Sequence, residues 1–385
     1  MSRTRFTSAS ALRLVVSAGI LVAVLVWLGS SGLEAVDLGA GEQLLGRPGV
    51  TRFLVGGAQG WSSLSAEVRV PGEAWEFPAG VIGQPALASD GGAMALVPQG
   101  LLWLGQDGDV LPGPEMPPAA LGDQWELIGL DGSDRPVLAC ETEAGRRLFV
   151  VADEGFGWRE LSADQGPAAP PPGAEVLLST ARRALAFRRA DCWEAWVFDG
   201  NPVRRLRATG CLGASAVFSP EGDALILDGR IDGIYRLELN SGRLVFMATG
   251  NLGLSDRVPF SAGFRGDPLL MVAPVRDNEG YLQILQSNLL GGGRFGITTG
   301  AVHHYHASSS KNGRYVSYCQ ATFEEGAQGA IDETLYLFDF EVARAVYKFK
   351  RLGGGAFRGP LFVGDGPNWV FIANGRVLLL DPGKH

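Results

Sequence analysis

The residues with the most chemical potential are three closely spaced histidines. The 385-residue chain has only four histidines, His303, His304, His306 and His385, and three of them fall in the run Ala301-Val302-His303-His304-Tyr305-His306. On a β-strand alternate side chains share a face, so His304 and His306 would project together, as two imidazoles able to ligate a divalent metal. Gln320 and the acidic pair Glu324 and Glu325 follow within the same stretch. Such a centre would serve a metal-assisted lyase or hydrolase. The competing reading is that an innermost strand presents these polar side chains to a wet central channel. No cofactor is predicted, and a divalent metal on His304 and His306 is the alternative.

Other catalytic arrangements are thin. A Ser/His/Asp hydrolase would have to draw its base from this cluster or from His385, and no G-x-S-x-G elbow follows the N-terminal segment. Nothing matches a c-type haem attachment or a cysteine zinc site. The acidic stretches 131–134, 228–233 and 277–280 could recruit Ca²⁺, but Asp-Gly is ordinary turn chemistry and none has EF-hand spacing.

These groups must be held by a scaffold, and composition points to many short strands. Glycine supplies 55 of 385 residues, about twice the usual share, without the period of collagen or a low-complexity tract. At 46% hydrophobic the chain is too apolar to be disordered. After residue 80 a unit recurs, clearest at 214–250. There four strand-like runs are separated by the turns Ser219-Pro220-Glu221-Gly222-Asp223, Gly229-Arg230-Ile231-Asp232-Gly233 and Asn240-Ser241-Gly242. In the third run Tyr235, Leu237 and Leu239 alternate with Arg236 and Glu238. Units start near 84, 125, 174, 214, 259, 304 and 359, a period of about 40–50 residues that reads as a β-propeller. The last unit has only three strands. One strand from residues 51–79 is expected to complete it, giving seven blades. Eight blades, or an additional N-terminal hairpin, is the alternative.

The unit at 214–250 resembles the exported TolB-like and WD40-like propeller superfamily through Phe218-Ser219-Pro220-Glu221-Gly222-Asp223 and Gly233-Ile234-Tyr235. The unit at 304 is similar through Lys311-Asn312-Gly313-Arg314-Tyr315. The resemblance implies the fold and a tendency towards protein binding, and it implies no reaction. Some propeller-fold pectate-type lyases hold a metal with histidine and glutamine, and the His304 cluster is loosely similar to that site. It offers no further internal histidine from another blade.

The N-terminus addresses location. Arg3, Arg5 and Arg13 precede residues 14–33, which carry no charge and are long enough to cross a bilayer. The basic side stays in the cytoplasm, so the following chain is exported. Trp27 sits where an interfacial anchor would be useful. A cleaved signal peptide at Gly29-Ser30-Ser31 is the rival reading. The organisation expected is a basic segment at 1–13, a transmembrane signal-anchor at 14–33, a linker at 34–48 and the all-β propeller at 49–385. The formal charge of −8, with +2 in the first 35 residues, leaves the body acidic. With no basic stripe read from the sequence, nucleic acid is not expected as a partner.

The partner-contact candidate is the insertion at 322–333, with Phe323, Glu324, Glu325, Gln328, Asp332 and Glu333 as its contact residues. Proline-rich stretches at 111–121 and 166–175 read as connectors between blades. Cys192 and Cys211 flank one expected hairpin and are candidates for a disulfide, whereas Cys140 and Cys319 read as buried thiols. The leading function is a membrane-anchored, non-catalytic scaffold that binds other envelope or membrane proteins in the bacterial periplasm or outside the cell. A metal-dependent saccharide lyase or hydrolase, and a polysaccharide or small-ligand binder using exposed aromatics, are the alternatives.

Overall fold

The structure is a computed structural model. It describes residues 35–380 apart from 48, 67–73, 119–123, 143–144, 153–156, 162–168, 201, 212–215, 229–232, 249–262, 266–269, 289–293, 311, 324–329, 351–357, 365–367 and 374. The proposed anchor and His385 lie outside the described residues, and no helix among the described residues is long and apolar enough to cross a membrane.

Among the described residues, short antiparallel strands form eight four-stranded sheets, each a propeller blade. Strand β1 (Ala35–Ala40) comes first in the chain but belongs to the last blade. Blade 1 is β2 (Gln43–Gly46), β3 (Arg52–Gly57), β4 (Gly60–Ser65) and β5 (Trp75–Glu76). Blade 2 is β6 (Ala86–Leu87), β7 (Ala93–Val97), β8 (Gly100–Leu104) and β9 (Val110–Pro112). Blade 3 is β10 (Trp125–Leu130), β11 (Pro136–Thr142), β12 (Gly145–Val151) and β13 (Trp158–Glu160). Blade 4 is β14 (Val176–Leu178), β15 (Ala184–Arg188), β16 (Cys192–Val197) and β17 (Arg204–Thr209). Blade 5 is β18 (Ala216–Phe218), β19 (Ala224–Asp228), β20 (Ile234–Glu238) and β21 (Leu244–Ala248). Blade 6 is β22 (Gly263–Arg265), β23 (Leu270–Arg276), β24 (Leu282–Asn288) and β25 (Arg294–Gly296). Blade 7 is β26 (His303–Ser309), β27 (Tyr315–Phe323), β28 (Ala330–Asp339) and β29 (Arg344–Lys350). Blade 8 joins β30 (Arg358–Phe362), β31 (Trp369–Ala373) and β32 (Arg376–Leu380) to β1.

The repeat is where the sequence placed it, and the blade count is the alternative of eight rather than the expected seven. Closure also differs. The strand that completes the last blade is Ala35–Ala40, paired with β32 from Ala35↔Leu380 to Ala40↔Arg376. Residues 43–76 make a blade of their own, so the stretch 34–48, expected as a linker, carries two strands. An irregularity at Asp37/Gly39 bends the closing strand, and Asp37 Oδ1 accepts the Gly39 N–H at 2.9 Å.

Burial explains the composition. The second strands are packed on both faces and read as unbroken apolar runs: Ala93–Val97 and Trp369–Ala373 are buried throughout. Side chains of neighbouring blades interleave. Leu185, Phe187 and Trp196 of blade 4 share one cluster with Val137, Ala139, Leu148 and Val150 of blade 3. The opposite face of blade 4, through Trp193, Ala195 and Val197, packs on Leu225, Leu227 and Leu237 of blade 5. Each large side chain buried this way is worth about 2–3 kcal/mol. Blades 8 and 1 are joined in the same manner by Phe53, Val55, Val370 and Val377, which completes the ring.

Candidate functional site: the axial cavity and its two ends

Because the strands of each blade are antiparallel, the turns between first and second strands all gather on one end of the ring. The turns between second and third strands, and the connections from blade to blade, gather on the other. Along the first strands of blades 1 to 4 runs a cavity of about 730 Å³, whose lining includes Leu45, Arg47, Leu87, Glu126, Ile128 and Arg146.

Arg47, just beyond β2, locks the first end. Its guanidinium donates from Nη1 to the carbonyl of Leu87 at 3.3 Å and from Nη2 to that of Thr180 at 2.8 Å, and it is ion-paired with Asp134. It therefore ties blade 1 to blades 2, 3 and 4. Asp134 also accepts the backbone N–H of Ser89 at 3.0 Å and its hydroxyl. Beside it, Arg183 of blade 4 donates from Nε to buried Asp131 at 2.9 Å and from Nη2 to the Val151 carbonyl at 2.9 Å. The turns approach so closely that a Cβ at Gly132 would stand 2.3 Å from the backbone N of Arg182.

The other end is charged. Arg146, at the start of β12, is buried yet ion-paired with Glu126 and with Glu141 at 3.5 Å, and it donates to the carbonyl of Ala174. The Glu126 side chain is 57% exposed, so a carboxylate stands at the mouth of the cavity with a buried cation behind it. That arrangement suits polar recognition.

The histidines do not form the arrangement expected from strict alternation. Between Tyr305 and Ser308 the pairing of β26 with β27 is irregular, and His306 adopts a φ of 54°. The bulge removes the two-residue periodicity that put His304 and His306 on one face. His304 is buried against blade 6 instead of lining a wet channel. Gln283 Oε1 accepts from its Nδ1–H at 3.1 Å and from the Thr298 hydroxyl at 3.0 Å. The Gln283 amide in turn donates to the carbonyl of Gly300 at 2.7 Å. Burial lowers the His304 pKa from 6.5 to about 4, and it also lowers those of His303 and His306. His303 Nδ1 accepts the Leu282 N–H at 3.2 Å. Among the described residues no group of three or more His, Cys, Asp or Glu side chains is placed to hold a metal.

The acidic turns have local duties. Asp131 Oδ1 accepts the N–H groups of Ser133 and Arg135, at 2.8 and 3.1 Å. Asp277 Oδ1 accepts those of Glu279 and Tyr281, at 3.0 and 2.9 Å. In Asp277 desolvation works against ionisation, but the backbone N–H groups and Gln283 outweigh it and lower the pKa.

The expected partner loop is only partly a loop. Phe323 ends β27, and Asp332 and Glu333 lie within β28, where Glu333 is buried and accepts the Tyr305 hydroxyl. Glu324, Glu325 and Gln328 lie outside the described residues. Cys192 and Cys211 are buried thiols with no disulfide between them. Cys192 pairs in register with Thr209, and Cys211 turns into the interface with blade 5.

Two features were passed over in the sequence. One is a groove of about 790 Å³ between blades 2 and 3, lined by Trp103, Trp158, Pro112, Pro114 and Arg135. The other is a group of arginines on blade 4 gathered around Glu194.

The ring can now be compared with known structures. Over 91% of this chain and 94% of the other, it superposes on the WD40 domain of SCAP from fission yeast with a TM-score of 0.53 at 11% identity. The fold is a β-propeller, similar in architecture to that WD40 domain. The Cps50 (Swd1) β-propeller domain of Myceliophteria thermophila matches over 90% of this chain and 98% of that one, with a TM-score of 0.48 at 10% identity. No family model matches the chain, and no curated relative matches it.

Proposed function

We propose that the protein is a membrane-anchored, extracytoplasmic propeller that acts as a non-catalytic binding or scaffold subunit of an envelope complex, akin to the TolB-like exported propellers. WD40-like propellers are commonly protein-interaction scaffolds, which supports the general reading. The observation that carries the anchored form is the place of Ala35. The uncharged span ends at Leu33, and the closing strand starts at Ala35, opposite Leu380. That is the end of blade 8 shared with the turns locked by Arg47. An anchor joined there holds the Arg47 end towards the bilayer, which leaves the Arg146 end and the blade-to-blade connections facing partners.

A reporter fused after His385 tests the compartment, being active only outside the cytoplasm. Cross-linking of intact membranes followed by mass spectrometry tests the scaffold, with cross-links concentrated on the Arg146 end. Reporter activity confined to the cytoplasm, or cross-links confined to the Arg47 end, would refute this reading. The groove holding Trp103 and Trp158 favours a second reading, saccharide binding by stacking on indole rings. Quenching of tryptophan fluorescence by envelope polysaccharide tests it.

A further inference from the structure

Seven arginines lie between residues 182 and 207 against three carboxylates, Asp191, Glu194 and Asp199, a local charge of +4 in a chain of net charge −8. Blade 4 folds three of them onto one carboxylate. Glu194 is fully buried, and its Oε1 accepts from Trp196 Nε1 at 2.6 Å and Arg205 Nε at 2.8 Å. Its Oε2 accepts from Arg189 Nε at 2.8 Å and Arg207 Nε at 3.3 Å. Desolvation disfavours its charged form, but the hydrogen bonds from Arg189, Trp196 and Arg205 outweigh this and lower its pKa.

Two carboxylate oxygens offer about four acceptor sites, and the Trp196 indole and three guanidinium groups occupy them. One negative charge cannot neutralise Arg205 and Arg207 while also serving Arg189. The Arg207 side chain is 56% exposed, whereas that of Arg205 is 23% exposed with its Nη2 buried against Glu194, so the surplus positive charge is presented outwards at Arg207 with Arg205 behind it. Both residues lie on β17, the outer strand of the sheet, two positions apart and therefore about 7 Å apart along the strand. The neighbouring outer strand β13 has three residues against six in β17.

We propose that this surface of blade 4 binds an extended acidic segment of a partner protein, with a carboxylate reaching the exposed Arg207 and the positive field of Arg205 behind it favouring further acidic positions. The proposal rests on the scaffold reading above and names the chemistry of the partner. Complementary charge is its basis: a short acidic strand meets only the basic patch, whereas a long nucleic acid would also meet the acidic remainder of the ring.

The test is fluorescence anisotropy of the full chain with a labelled short peptide alternating glutamate and serine. A lysine-serine peptide and a single-stranded oligonucleotide serve as comparators. We expect the acidic peptide to bind, and its affinity to fall about tenfold or more as salt rises from about 50 to about 300 mM. Arg207→Glu should abolish binding. Arg207→Gln should weaken it while unfolding as the parent does, since Glu194 keeps Arg189, Arg205 and Trp196. Arg204→Glu serves as control, because Arg204 donates instead to the Asn240 carbonyl of blade 5. Equal loss in the Arg204 and Arg207 variants, no loss with Arg207→Glu, or tighter binding of the oligonucleotide through Arg207 would overturn the proposal. Partners cross-linked in membranes and retained by Arg207→Glu would leave the scaffold reading standing and reject this site.

Discussion

Arg47 and Asp134 are 87 residues apart in sequence and ion-paired at one end of the axial cavity, joining blade 1 to blade 3 across the turn of blade 2. The Arg47 side chain is 7% exposed, so its charge depends on that carboxylate and on two backbone carbonyls. Breaking a pair of this kind leaves a desolvated charge behind. Asp134→Ala should therefore destabilise the ring by about 3 kcal/mol. Arg47→Met should cost less, because the surviving carboxylate is partly exposed and keeps Ser89. Urea midpoints for the two variants check the order.

Among the described residues, closure runs through Ala35–Ala40 paired with β32. A chain lacking residues 1–34 should unfold in one cooperative transition. Removing residues 1–40 leaves the third strand of blade 8 without its outer neighbour and uncovers the contact with blade 1. We expect a lower, broader calorimetric transition for the shorter chain; identical traces would show that another segment closes the ring.

The folded-state pKa of His304, lowered by burial to about 4, gives a signed pH effect. The unfolded chain takes up this proton near pH 6.5, whereas the folded chain resists until about pH 4. The stabilising contribution is complete above the unfolded value and is lost as pH falls through the window between the two. His304→Gln should cost about 1–2 kcal/mol at neutral pH through the disturbed hydrogen bond to Gln283. The gap between variant and parent should close between pH 6.5 and about 4. Denaturant melts across that range measure it.

Gly132 marks the closest approach of the turns of blades 3 and 4. Gly132→Ala should cost roughly 1–3 kcal/mol, since the new methyl meets the backbone of Arg182 rather than a side chain that can swing away. Gly57→Ala, where a Cβ meets nothing within 4 Å, is the matched control and should change stability by less than about 0.5 kcal/mol. Thermal unfolding of the pair gives the comparison.

What the sequence determined by itself was local. Turns such as Ser219 to Asp223 declare themselves through their own residues: the Ser219 hydroxyl donates to Asp223 Oδ1 at 2.6 Å and accepts the Ala224 N–H at 3.0 Å. Strand-length apolar runs separated by turn residues recur about every 40–50 residues, which made the all-β class and the repeat starts legible. The tertiary structure decided whatever depended on pairing across distance. Ala35–Ala40 is a short run whose partner lies some 340 residues away, and nothing within it announces a closing strand. Reading residues 51–79 as the source of the closing strand favours seven blades and leaves eight as the alternative; the pairing of β2 with β3 decides for eight. A bulge after Tyr305 took His306 off the face it was expected to share with His304, and only the register of β26 on β27 records that bulge. The basic segment 182–207 was present in the sequence, but its meeting at Glu194 followed from the register Glu194↔Arg207 and Trp196↔Arg205. Charges far apart along the chain become a site only when neighbouring strands fix them side by side.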